Sequence, residues 1–95
     1  MMSFALMSFA LMSFALPIEL ASRIEPDGGI PGKSIDQRIE RTIAAILFFE
    51  REGSTEKSGP FRAHVKRLYA FLQSNGWNGK IEIRGDLDKM IQAIL

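Results

Sequence analysis

Gly28-Gly29-Ile30-Pro31-Gly32-Lys33-Ser34 carries the most obvious chemical suggestion, because Gly-Lys-Ser closes the phosphate-binding loop of many ATPases and GTPases. In that loop four residues separate the first glycine from the Gly-Lys pair, so that successive backbone N–H groups surround a phosphate. Here the position that needs glycine holds Asp27, whose carboxylate repels phosphate, and no buried strand leads into it. The stretch reads instead as a turn-rich linker ending in a helix cap. His64 is the single histidine. General-base work requires an orienting carboxylate and a nucleophile, and no such set is evident. On a helix His64 borders an apolar arc, the place of a half-buried packing side chain. Asp86/Asp88 and Glu50/Glu52 stand two residues apart, so on a helix they diverge and share neither a metal nor a proton. The absence of cysteine excludes thiolate catalysis, disulfides and Cys-ligated zinc. The expectation is a protein that is not an enzyme, with no catalytic residue, no metal and no cofactor.

Charge is more informative, because it is unevenly placed. Twelve Lys and Arg against eleven Asp and Glu leave a net charge of +1. Residues 57–84 nevertheless hold Lys57, Arg62, Lys66, Arg67, Lys80 and Arg84 against Glu82 alone, whereas residues 1–56 hold five basic and eight acidic groups. Arg62 and Lys66 are i, i+4 neighbours on one helical flank, with Tyr69 and Gln73 continuing the row. Lys57, Arg62, Lys66 and Arg67 are therefore candidate nucleic-acid contacts. The competing account is a solvated face partly neutralised by acids of the preceding helix.

The stretch Glu50-Arg51-Glu52-Gly53-Ser54-Thr55, followed by Phe61, Val65, Leu68, Tyr69, Phe71 and Leu72, resembles the helical core-binding domain of tyrosine recombinases over about a quarter of the chain. In that family a Glu-Arg-Gly turn precedes a helix with similar aromatic and leucine spacing; here Glu52 interrupts the Arg-Gly pair. No Arg…His-x-x-Arg…Tyr catalytic set follows, so the resemblance implies DNA contact without strand cleavage.

The elements that would position these residues follow from composition and periodicity. Ninety-five residues, 46% hydrophobic and 24% charged, describe one small globular domain. A chain of this size buries only about 60% of its unfolded surface. Pro17 to Glu25 predicts a short helix with Pro17 at its first position, closed by Pro26. Pro26 to Gly32 predicts a linker. Ser34 and Gln37 form a capping box for a helix over 35–52, on which Phe49, Thr42, Ile35, Ile46, Ile39, Ile43 and Leu47 share one arc, with Gly53 beyond its end. Phe48 and Ala44 lie roughly opposite. A second helix over 60–74, capped by Ser58 or Gly59, stacks Phe61, Val65, Leu68 and Leu72 on one side. Residues 80–83 alternate but are too short to stand alone as a strand. Asp86 caps a last helix from Leu87 to Leu95. The fold expected is all-α: a bundle of three to four helices built on an antiparallel hairpin.

Ahead of this, Met-Ser-Phe-Ala-Leu occurs three times without error, at Met2–Leu6, Met7–Leu11 and Met12–Leu16. A five-residue period advances about 140° per unit on a helix, so it builds no single apolar stripe. A tandem duplication around a start codon explains the perfect copies, with the working chain beginning near Met12. Membrane contact through residues 1–16 ranks below a loosely attached terminus, since no basic residue precedes Arg23 and Pro17 interrupts the run. The chain thus divides into the repeat (1–16), a short helix and Pro/Gly linker (17–33) and a helical domain (34–95).

The function expected is association with a protein partner or with itself, in the cytoplasm. Its basis is an apolar surplus over what a small core can bury, with Phe48 and Trp77 as the interface residues. The alternative is a nucleic-acid-binding module using the basic second helix.

Overall fold

The computed structural model describes residues 15–95, and among them it shows four helices and no strand. They are α1 (residues 15–22), α2 (Ile35–Arg51), α3 (Arg62–Ser74) and α4 (Leu87–Ile94). The expectations of a start near Met12 and of a loosely attached terminus, with membrane contact ranked below it, fall on residues outside this range, apart from Ala15 and Leu16. Both of these belong to α1, so Pro17 is not its first residue. Among the described residues no helix is long and apolar enough to cross a membrane.

The hairpin of α2 and α3 is antiparallel. Phe49 meets Phe61 at the turn end, with ring centroids 5.2 Å apart, and Arg38 lies over the Phe71 ring at the other end, 4.6 Å from its centroid. Ser34 Oγ accepts the Gln37 N–H at 3.1 Å, as the capping box requires. Gln37 reaches back one residue further than expected, accepting from the Lys33 N–H. Gly53, at φ 98°, takes the left-handed position after the helix, and the Ser54 N–H then closes on the Phe49 carbonyl at 2.8 Å.

The second helix begins two residues later than expected, at Arg62 rather than Pro60. Ser58 does not cap it, because its hydroxyl is paired with Thr55 Oγ1 at 3.2 Å in the connecting loop and it stands four residues ahead of Arg62. The Phe61 N–H is instead held at 3.1 Å by the hydroxyl of Ser54, which is buried, and Phe61 becomes an N-cap with no side-chain hydrogen bond.

The larger difference concerns α2. Thr42 through Ile46 are buried without interruption, and Phe48 and Phe49 follow. A helix buried on all sides of its C-terminal half is a central helix, not one layer of two. On one side α2 packs against α3; on another it packs against α4, with Arg51 spanning the contact through a 2.8 Å bond to Asp88. Ile35, placed by its spacing in the buried arc, is 46% exposed because it lies at the first residue of α2, beyond the reach of the packed elements. Residues 80–83 run extended, with Ile81 and Ile83 packed against the core, and Asp86 caps α4 through the Lys89 N–H.

Residues 26–32 are a docked loop rather than a linker. Ile30 is fully buried, its N–H bound to Thr42 Oγ1 at 3.0 Å and its carbonyl to Arg38 Nε at 3.2 Å. Arg38 also grips both carboxylate oxygens of Asp27, at 2.8 and 3.0 Å, and pairs with Glu25 at 2.8 Å. Leu20 of α1 joins the same core.

The Arg38 guanidinium bonded to it, aided by the Gly29 N–H, lowers the pKa of Asp27. A carboxyl lowered by folding contributes stability that is present above its ordinary value of 3.8 and lost as pH falls through the lower folded value. Asp27→Asn keeps the acceptor for Gly29 but removes the charge. Its melting temperature is expected below that of the parent at pH 6, with the gap narrowing as the pH is taken below 3.8. The Asp27 side chain is half-exposed and screened, so the gap is small; an equal gap above and below that pH would refute the assignment.

Candidate functional site

The residues singled out by sequence separate into three groups. Phe48 is not a surface residue: it is 2% exposed, edge-on to Phe49 at 6.1 Å and beneath the Arg51 guanidinium at 5.3 Å from the ring centroid. α4 packs on α2, and the Arg51 that overlies the Phe48 ring is bonded to Asp88 of α4, on a side that a hairpin alone would leave bare. Phe48 is therefore withdrawn as an interface residue. Trp77 is half-buried against Tyr69, with ring centroids 5.9 Å apart, and its indole N–H donates to the Lys80 carbonyl at 2.7 Å. It fastens the extended segment to the end of α3.

Arg67 also has an internal task. Its guanidinium donates to the carbonyls of Glu25 at 2.9 Å and Pro26 at 3.4 Å, pinning the docked loop from the α3 side. That separates it from the other three cations, because residues 62, 66 and 67 do not share one helical face.

Lys57, Arg62 and Lys66 do come together, lining one open cleft of about 310 Å³ with Glu56 and Ala63. Two elements position them. The first turns of α3 present Arg62 and Lys66 one turn apart, and the loop presents Lys57. That loop is tightly braced: the Thr55 N–H reaches the Ser58 carbonyl at 2.8 Å, and Thr55 Oγ1 accepts from the N–H groups of Lys57 and Ser58. Among the described residues none of the three cations is in an ion pair. Tyr69, which continued their row, faces different surroundings. Burial raises its pKa first, and the carboxylates of Glu50 and Glu56 push the same way.

A second cleft, of about 230 Å³, was not anticipated. It lies between the N-terminal half of α2 and the segment before α4. Ile39, Ile43 and Ile83 give it apolar surface, and Asp36, Glu40, Glu82 and Arg84 supply the charge. None of these three carboxylates is in an ion pair among the described residues. The exposed Ile35 extends the i, i+4, i+8 row of Ile39 and Ile43. The signal was present in the sequence, since Asp36 and Glu40 stand beside that row. It was assigned wholly to the core because nothing in the periodicity says where the covering elements stop.

The phosphate-loop likeness has no geometry behind it. The Gly29, Ile30 and Lys33 N–H groups are spent on Asp27, Thr42 and Gln37. His64 is half-buried beside Phe61, at 5.7 Å between ring centroids, with Nδ1 unbonded. Among the described residues no group of three or more His, Asp or Glu is placed to hold a metal ion. The recombinase-like spacing falls on the stop of α2 and the buried side of α3. Compared with protein-family models, curated proteins and solved structures, the chain matches none.

Proposed function

We propose that this protein is a cytoplasmic, non-catalytic docking module that takes a basic amphipathic segment of a protein partner into the cleft between α2 and residues 82–84. The observation that supports this reading is the pairing of an apolar surface, Ile39, Ile43 and Ile83, with carboxylates that have no internal partner. Lysine and arginine match that combination, because their methylene stems lie along apolar surface while the charged head stays at the wet edge. Aliphatic side chains would leave the carboxylates unanswered. An acidic segment would be repelled.

A helical Leu/Lys peptide titrated into isotopically labelled full-length protein is the direct test. Amide shifts are expected to concentrate at residues 35–43 and 82–84 and to saturate, and Ile39→Lys is expected to remove them. A Leu/Glu peptide of the same length serves as the control. Equal shifts with both peptides, or none at the cleft, would refute the proposal.

The second reading, nucleic-acid binding, is favoured by one observation: Lys57, Arg62 and Lys66 surround one cleft without ion-pair partners. It predicts micromolar affinity for duplex DNA that falls steeply with salt. Absence of binding at low salt removes it.

A further inference from the structure

We infer that the occupant of the acidic cleft is a second copy of this chain, which inserts the cationic side chains around its own basic cleft, Lys66 and Lys57 foremost. This rests on the docking reading above and names its partner. The acidic cleft holds Asp36, Glu40 and Glu82 against Arg84, and the basic cleft holds Lys57, Arg62 and Lys66 against Glu56. The imbalances among these lining residues are opposite in sign, and Lys80, in the hollow that adjoins the acidic cleft at Glu82 and Arg84, reduces the acidic one. Neither is answered by a direct contact within the molecule, since none of the eight lining groups is in an ion pair among the described residues.

Position decides between contact within one chain and contact between chains. The acidic cleft lies along the first half of α2, at Asp36 to Ile43. The basic cleft lies at the start of α3, which packs at the far end of α2 through Phe61 on Phe49. From Glu40 to Phe49 is nine residues of helix, about 14 Å. The two clefts therefore stand at opposite ends of the hairpin and cannot close on each other. Unlike patches at two ends of one surface can pair reciprocally in an antiparallel two-fold dimer, or head to tail with one cleft of each kind left free for a further copy. In the first case the assembly stops at a dimer; in the second it grows until its rotation closes a ring.

Exposed ion pairs are individually weak and are screened within about 10 Å at 0.1 M salt. Self-association is accordingly expected only at high protein concentration and is expected to weaken steeply with salt.

Sedimentation equilibrium of the full chain across a concentration series, at low salt and at about 0.5 M salt, reads this directly. The weight-average mass is expected to rise above that of the monomer at low salt and to fall back with added salt. Glu40→Lys or Lys66→Glu alone is expected to weaken association about tenfold. An equimolar mixture of the two single variants is expected to recover it, because one variant's reversed acidic cleft meets the other's reversed basic cleft. Glu82→Lys with Arg62→Glu provides a second pair that leaves α2 untouched, and circular dichroism checks that every variant keeps its helix content.

A parent chain that stays monomeric at low salt overturns the inference. So does association that ignores both salt and charge reversal, as contact through the apolar repeats would. If the Leu/Lys peptide fills the cleft while the chain stays monomeric, the docking reading stands and self-pairing falls. If neither occurs, both fall.

Discussion

Phe48→Ala is expected to destabilise the protein by about 3–5 kcal/mol, as much as Phe49→Ala. The two rings adjoin in sequence and point to different sides of α2, so a helix packed on one side only would spare one of them. Both are buried here, Phe49 fully and Phe48 to within 2%. Removing either ring strips its apolar contacts and leaves a cavity that surrounding helices only partly close. A 95-residue domain has a total stability of about 5–14 kcal/mol. A loss of 3 kcal/mol lowers the melting temperature of a domain this size by more than about 12 °C. The stacked Arg51 contributes little to this, since an exposed cation–π contact is worth about 0.5–1 kcal/mol. Urea denaturation of the two alanine variants checks the result. A Phe48→Ala cost below about 1 kcal/mol would place that ring on the surface and take α4 off this side of α2.

The second large effect is expected at Gly28. Its φ of +92° already disfavours any side chain, and a Cβ there would stand 2.4 Å from the Arg67 carbonyl oxygen. That oxygen belongs to helical backbone and cannot swing aside. Gly76, at φ +79°, has nothing within 4 Å of the same position and isolates the conformational part. Gly76→Ala is expected to cost about 1–2 kcal/mol, the usual left-handed penalty. Gly28→Ala is expected to cost at least about 2 kcal/mol more, because the loop must lift off α3. Lifting it would expose Ile30 and strain the contacts of Arg38 and Arg67. Amide hydrogen exchange at Ile30 provides a local measurement beside the global one. Equal costs for the two variants would mean that the loop yields freely and that its docking carries little energy.

The hairpin, the caps of α2 and α4 and most of the hairpin's inner side were legible in the sequence, because each rests on local chemistry. The cap expected for α3 at Ser58 or Gly59 was not formed. Ser34 and Asp86 accept first-turn N–H groups in the manner their positions suggest, and Gly53 terminates α2. Val65, Leu68 and Leu72 are buried where their spacing puts them. What was not legible is which side of α2 a distant element covers. Phe48 and Ala44 lay outside the main apolar arc, and their burial depends on elements distant in sequence, α4 among them, that close on α2. The loop at 26–32 was misread for a related reason. Its Pro and Gly residues mark a turn, but its docking depends on Arg38, Thr42 and Arg67, which come later in the chain. The basic cleft was readable to three parts in four: Lys57, Arg62 and Lys66 meet, while Arg67 turns away to hold carbonyls. The acidic cleft depends on residues 82–84 lying beside α2, a placement that no local pattern dictates.

Trp77 is the single tryptophan of the chain, and the bond from its indole to Lys80 joins the end of α3 to the strip that forms one wall of the acidic cleft. Nature has thereby installed an optical reporter at the hinge of that wall. Its emission colour and intensity are expected to change when the strip leaves its seat, so that unfolding and cleft occupancy can both be followed by fluorescence with no dye attached.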